Sequence, residues 1–244
     1  MEGCRVAFLV LAALCSSALQ STSAAGERLL VFTKTADYRH DSIPTAVAAL
    51  RAIAARHGIE VEHTEDAASF QPDRLSIYKA VAFVNTTGEV LDEAQQRAFE
   101  AFVAAGGNFL GVHSAADTEY DWPWYGELIG AWFKSHPPGL QTGIVRFARP
   151  LGGEAPIEWR VTDEFYNFRG RPSPNAVIIA VLDESTYEGG EMGPDHPIAW
   201  CQRQDGQRSW YTGLGHSAEL YADAVFLTHL ERGLLYVMSR SGEC

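Results

Sequence analysis

Residues Asp92–Ser114 read DEAQQRAFEAFVAAGGNFLGVHS, and this stretch decides the fold. Asp92 with Gln95 three residues on is a helix-opening pair, because each side chain can bond the other's backbone N–H. Phe99, Phe102 and Val103 recur at helical spacing and mark one apolar face. Gly106-Gly107 stops the helix, and Asn108–Val112 is a short apolar run of strand length. A helix that runs at once into a buried strand is half of a βαβ unit. The segment that follows the strand, Gly111–Tyr125 (GVHSAADTEYDWPWY), is crowded with His, Asp, Glu, Tyr and Trp. Loops on rigid strands are where binding groups collect, so this one marks a small-molecule site.

Upstream, Arg28–Lys34 contains Leu-Leu-Val-Phe, which suits a buried parallel strand. A helix is expected from Ser42, with Pro44 in its first turn, Val47, Leu50 and Ala54 on one face, and a stop at Gly58. Ile59–Glu65 and Ala80–Asn85 are further strands. The alternation predicts an open, mostly parallel sheet with helices on both faces. Loops leaving the carboxyl ends of such strands share one edge, so Thr35–Asp41, Thr86–Glu89 and the segment from His113 should bring His40, Thr87, His113 and Asp117 together. The back half changes rhythm. Gly143–Ala148, Trp159–Phe168, Ala176–Leu182, Pro197–Arg203 and Arg208–Gly213 are strand candidates, Asp205-Gly206 marks a hairpin, and Phe226–Met238 is a closing helix. With no internal repeat or low-complexity linker, residues 26–244 are expected to form one domain with an inserted or appended antiparallel portion.

The first 25 residues carry Arg5, the apolar run Val6–Leu14 and small residues ending at Ala25. That is the pattern of a cleaved export signal, so residues 1–25 should be removed and the mature chain should be periplasmic or extracellular. The apolar run is too short to span a bilayer and no later segment is long enough, so no membrane association is expected after cleavage. Roughly 220 mature residues suit a single sizeable core. Losing Glu2 and Arg5 leaves the net charge at −12, which argues against nucleic acid as a partner. Cys4 and Cys15 leave with the signal. Cys201, in the run Ile198–Cys201, reads as a buried strand residue, and the spacing does not decide whether it pairs with Cys244.

Gly111-Val112-His113-Ser114 resembles the elbow that presents a nucleophile in many α/β enzymes, but the central residue is His and Ser114 comes one position late. Covalent serine catalysis is therefore disfavoured. If a helical turn follows, His113 and Asp117 share a face, and a carboxylate beside an imidazole suits acid/base work. The plainer reading makes Asp117 a helix cap and His113 a half-buried packing residue. Asp41 and Ser42 read as caps, while His40 precedes a helix N-terminus that favours an anion. Glu164, flanked by Phe165, Tyr166 and Phe168, is the better placed acid for a paired-carboxylate role, and Asp183-Glu184 reads as a solvated strand end. His136, His196 and His216 each adjoin Pro or Gly. The candidate ligands for a divalent metal are His113, His136, Glu164 and His216, although no HExxH spacing is present. No other cofactor is identified. Tyr120, Trp122, Trp124 and Tyr125, broken by Asp121 and Pro123 and so no regular helix face, form a candidate platform for a sugar, with core packing as the competing reading for Trp124 and Tyr125.

Taken together, Arg39–Ile43, Asn85–Gly88, Gly111–Thr118, Tyr120–Tyr125, Asp163–Phe168, His196–Trp200 and Trp210–His216 make the chain resemble the ThuA-like, or trehalose utilisation, family of the class I glutamine amidotransferase-like superfamily. The resemblance implies an α/β, flavodoxin-like three-layer sandwich and a link to disaccharide metabolism. The amidotransferase relatives use a Cys at the elbow, and with His113 there glutaminase chemistry is not expected. The expected activity is acid/base hydrolysis or isomerisation of a sugar or keto-sugar. His113 would move the proton, Asp117 would orient it and Glu164 would be the partner acid. His40, Thr87, Tyr120, Trp122, Tyr166, His136, His196 and His216 would contact the carbohydrate. A noncatalytic carbohydrate-binding protein and a metal-dependent hydrolase are the alternatives.

Overall fold

The computed structural model describes Met1 and residues 27–151, 157–204 and 206–244. The expected leader beyond Met1, and Asp205 of the expected hairpin turn, lie outside the described residues. In chain order the elements are β1 (Arg28–Phe32), α1 (Ile43–Arg56), β2 (Glu60–Thr64), α2 (Pro72–Leu75), β3 (Ala80–Val84), α3 (Glu93–Ala104), β4 (Asn108–Val112) and α4 (Pro123–Ile129). They continue with β5 (Phe133–Ser135), β6 (Gln141–Phe147), β7 (Glu158–Asp163), β8 (Asn167–Phe168), β9 (Val177–Asp183), β10 (His196–Gln204), β11 (Gln207–Thr212) and α5 (Ala224–Val237).

Nine strands form one sheet in the order β2-β1-β3-β4-β11-β10-β9-β6-β7, and β5 pairs with β8 apart from it. The strands from β2 to β11 run parallel, and those from β11 to β7 are antiparallel to their neighbours. The 2-1-3-4 order of the parallel half is that of flavodoxin-like sheets. The expected antiparallel portion of the C-terminal half is joined to this sheet through β11 and extends it. β11 is the hinge of the arrangement, last of the parallel set and first of the antiparallel set.

Alternation along each strand sends side chains to two helical layers. On β4, Phe109 packs against Tyr125 of α4, while the Asn108 amide donates to the Val237 carbonyl of α5 at 2.6 Å. α1 packs against α5, and α2 against α3. α3 opens with the expected capping box of Asp92 and Gln95. Ser42 occupies the N-cap position of α1 but makes no capping bond; its hydroxyl donates to the Gly215 carbonyl at 3.3 Å. Two other expectations need correction. Pro123 begins α4 and does not prevent it, because proline fits the first helical turn. The strand expected over Trp159–Phe168 is split, with β7 ending at Asp163 and β8 resuming at Asn167, which frees Glu164–Tyr166 from the sheet.

Beyond β11 the chain turns sharply at Gly215, whose φ of +128° is open only to glycine and where a Cβ would meet the Tyr221 hydroxyl at 2.7 Å. Buried Asp163 clamps this turn, accepting from the backbone N–H of Gly215 at 2.7 Å and of Ser217 at 3.2 Å. The Gly215 carbonyl accepts from the Tyr221 hydroxyl at 3.1 Å. Among the described cysteines, Cys201 of β10 is disulfide-bonded to Cys244, so the buried strand residue is also a bridge partner.

Two stability predictions follow from these tethers. Asp163→Ala should cost at least about 2 kcal/mol by leaving buried N–H groups without an acceptor, whereas Asp163→Asn, which keeps an acceptor oxygen, should cost less; urea unfolding measures the difference. Cys244→Ser should lower stability by about 2–4 kcal/mol, read as a drop in melting temperature under non-reducing conditions.

Candidate functional site

His113 follows directly on β4 and opens a single 3₁₀ turn over His113–Asp117. Its φ is +51°, and Asn85, at the end of the adjacent β3, has a φ of +52°. Non-glycine residues rarely take this conformation, and here two do so side by side at the carboxyl edge of the sheet. The His113 ring is fully buried, lies 4.3 Å from the ring of Tyr166 and is held by a 2.8 Å hydrogen bond from Nδ1 to the Gly213 carbonyl. A carbonyl can only accept, so Nδ1 carries a proton, and in the neutral tautomer that this selects, the lone pair is on Nε2.

Three other chain segments bring groups to that lone pair. His40, from the loop after β1, sits with its ring 4.8 Å from His113 and 5.0 Å from His216, and its Nδ1 lies 3.4 Å from the Ser114 hydroxyl. His216 comes from the turn clamped by Asp163. Glu164 comes from the gap between β7 and β8, with Oε2 3.5 Å from His113 Nε2 and 3.2 Å from His216 Nδ1. His40, His113, Glu164 and His216 each offer one donor atom to a cluster in which these atoms lie within 4.8 Å of one another. Despite this closeness, His113 Nε2 and His216 Nδ1 are buried without a properly directed hydrogen bond. His136 stands at the outer side, more than a third exposed at its side chain, with Nδ1 3.2 Å from Glu164 Oε1 and donating to the Pro137 carbonyl at 2.8 Å.

The charges follow from the packing. Burial works against ionisation of Glu164, but contact with the His113 and His216 imidazoles outweighs it and holds the carboxyl well below its usual range. Burial, reinforced by the neighbouring His113 and His216 rings, pushes His40 down to about 2, so its ring is neutral. Contact with Glu164 raises His216 against the effect of its burial. Imidazole nitrogens grouped around an ionised carboxylate are the donor set of a first-row divalent cation, which would displace the proton that contact with Glu164 favours on His216.

The remaining sequence-derived candidates divide between the rim and the core. Asp117 does not orient His113; its Oδ1 accepts from the Tyr120 hydroxyl at 2.5 Å, and burial raises its carboxyl. Tyr120 lies under the Arg169 guanidinium, 3.9 Å from its ring centroid. Trp122 is no platform: it is buried, stacks on Trp124 and Tyr125, and donates its indole N–H to Glu100 at 2.9 Å. Tyr166 is buried as the floor beneath His113. Thr87 is buried too, its hydroxyl donating to the Tyr38 carbonyl at 2.8 Å. His196 lies away from the cluster, with Nδ1 2.9 Å from Glu184 and Nε2 2.8 Å from the Tyr166 carbonyl, so it fixes the segment carrying the floor. Ser114, Asp163 and the Gly213 carbonyl were not anticipated in these roles. The last is main chain and leaves no residue signature.

A cavity of about 310 Å³ lies at the opposite edge of the sheet, between α3, α4 and the ends of β10 and β11. Its polar side chains Gln202, Arg208 and Ser209 are engaged by backbone carbonyls of α4 and of the C-terminal segment.

Similarity to known proteins agrees with the architecture. The chain aligns with a ThuA-like protein from Bacteroides uniformis at 18% identity and a TM-score of 0.72, covering 90% of this chain and 95% of that one. A ThuA-like protein from Parabacteroides merdae aligns at 20% identity and 0.69, covering 89% and 91%. A β-galactosidase from Bacillus circulans sp. alkalophilus aligns at 16% identity and 0.55, covering 87% of this chain and 31% of that one. No curated protein matches the sequence. The family described as ThuA, trehalose utilisation, matches residues 28–237, and with nearly the whole described chain inside that match, the protein belongs to the ThuA family.

Proposed function

We propose that this protein is an exported, divalent-metal-dependent enzyme that hydrolyses or isomerises a sugar or keto-sugar. The observation that carries the reading is the convergence of His40, His113, Glu164 and His216, in which the buried His113 Nε2 and His216 Nδ1 lack a directed hydrogen bond. Donors this close can gather around an ion at ligand distances of about 2.0–2.2 Å with small side-chain shifts. A bound divalent ion would act as a Lewis acid toward a substrate oxygen.

The residues around it have separate tasks. His113 is a ligand in this reading, and no longer the proton carrier that its sequence position suggests. The Gly213 carbonyl fixes its tautomer, as the second partner of a metal-bound imidazole commonly does. His136, the exposed imidazole of the group, is placed to exchange protons with substrate or solvent. Asp117, the last residue of the turn that His113 opens, is hydrogen-bonded to Tyr120, and the pair serves to hold substrate hydroxyls. The sugar class is supported by the family's description. Export is supported by the leader-like segment and by the Cys201–Cys244 bond, which suits an oxidising compartment. That bond also ties up both described cysteines, so neither offers a thiol for glutaminase chemistry.

Elemental analysis of chelator-free protein should find one divalent transition ion per chain. The His113→Ala and Glu164→Gln variants should lose it, and metal-free wild type would sink the reading. In a panel of trehalose and keto-sugars, His136→Ala should keep the metal yet lose about 10²–10⁴-fold in turnover. Sugar binding by calorimetry with no turnover across the panel would instead favour a noncatalytic binding protein.

A further inference from the structure

A sugar site needs an aromatic face, and the segment expected to supply it is turned largely inward: Trp122 and Tyr125 are buried, and Tyr120 and Trp124 half-buried. Tyr38 is the only Phe, Tyr or Trp classed as exposed among the described residues, at 61% relative exposure. It lies two residues before His40, and its ring meets the His40 ring edge-on, with centroids 4.8 Å apart and an interplanar angle of 87°. Its main chain is nevertheless fixed. Thr35 and Thr87 form a parallel bridge, the Ala36 N–H donates to the Thr87 carbonyl at 2.8 Å, and the Thr87 hydroxyl donates to the Tyr38 carbonyl at 2.8 Å. Asp37 packs over Gly88, where even a Cβ would come within 2.5 Å of its Oδ2. The loop after β1 is thus strapped to the loop after β3 on either side of an outward-facing aromatic ring.

We infer that Tyr38 is the sugar-stacking residue at the rim of this site, and that its substrate is a ring-form sugar which lays an apolar C–H face on Tyr38. The inference rests on the carbohydrate reading above and deepens it. Tyrosine supplies a large, stiff surface with few rotatable bonds, so a ring on an immobilised backbone loses little freedom when it binds. Among the described residues the one ring contact of Tyr38 is with His40, a ring that is itself buried and within reach of the Ser114 hydroxyl, so most of the Tyr38 face is left to solvent. Tyr166 cannot do this work, because it is covered by His113. Thr87, expected to hold substrate oxygen, acts instead by pinning the Tyr38 carbonyl.

The test is calorimetric titration of metal-loaded wild type, Tyr38→Ala and Tyr38→Phe with trehalose, the keto-sugar panel and the acyclic polyol sorbitol, with metal content measured on each protein. Tyr38→Ala should weaken binding of the ring sugars about 3- to 10-fold at unchanged metal content, and Tyr38→Phe should restore it, because stacking does not require the hydroxyl. Equal affinities of wild type and Tyr38→Ala for a ring sugar that binds would overturn the Tyr38 assignment and leave the metal-site reading intact. An equal loss for sorbitol would also overturn it, since stacking requires the flat apolar face of a ring. Failure of wild type to bind any ring sugar overturns the assignment together with the carbohydrate reading, whereas failure to bind metal with sugar binding retained overturns the metal reading alone.

Discussion

An ionised carboxylate removed from water is costly unless opposite charge or donors surround it, and Glu164 meets that condition among three imidazoles. His113 and His216 face one of its oxygens and His136 the other. Much of the irregular backbone in this molecule serves that grouping. The sheet lets go of the chain between β7 and β8 where Glu164 must leave the strand. Asn85 and His113 take left-handed conformations at adjacent strand ends. The turn after β11 is bound by Asp163, fully buried and raised by that burial even as the N–H groups of Gly215 and Ser217 work against the rise. A fold that departs from regular geometry at several points around one cluster is using those departures to build a site.

The parallel half of the sheet was legible from residues 28–112 because its signals are local. Apolar runs of strand length, the capping box at Asp92 and the glycines after α3 each act over a few positions, and β4 lies at its expected bounds, Asn108–Val112. The back half was less legible because the relevant interactions are distant in sequence. Nothing near Arg208 announces that β11 will pair in parallel with β4, about a hundred residues away. The run Trp159–Phe168 is long enough for one strand, and its break falls where Asp163 and Glu164 meet the turn after β11 and the imidazoles, partners distant in sequence. Pro123 interrupts the aromatic pattern in the sequence yet starts α4, because proline is excluded from a helix interior and suits its first turn.

The candidate site was partly legible for the same reason. Residues at strand ends, His40, His113 and His216 together with Glu164, converge as sheet topology requires. Asp117 and Trp122 were misplaced because a spacing of four along the chain does not say which way a single 3₁₀ turn will send a side chain, and because aromatic residues fill cores as readily as they line sites. Tyr38 directly precedes the motif Arg39–Ile43 without belonging to it; its meaning comes from exposure, which sequence does not display.

The acceptor for His113 Nδ1 is a backbone oxygen, not a side chain. Where a carboxylate plays this part, one base change can delete it, and a shift in acidity can release the ring. A peptide carbonyl can be neither substituted nor protonated at ordinary pH. A Cβ at position 213 would meet the Ile198 Cδ1 at 2.7 Å, so a larger residue there would have to displace the end of that side chain. The direction in which this imidazole points is therefore inherited with the pairing of β4 and β11. Drift elsewhere in the sequence can remodel the pocket around the ring while its bearing stays the same.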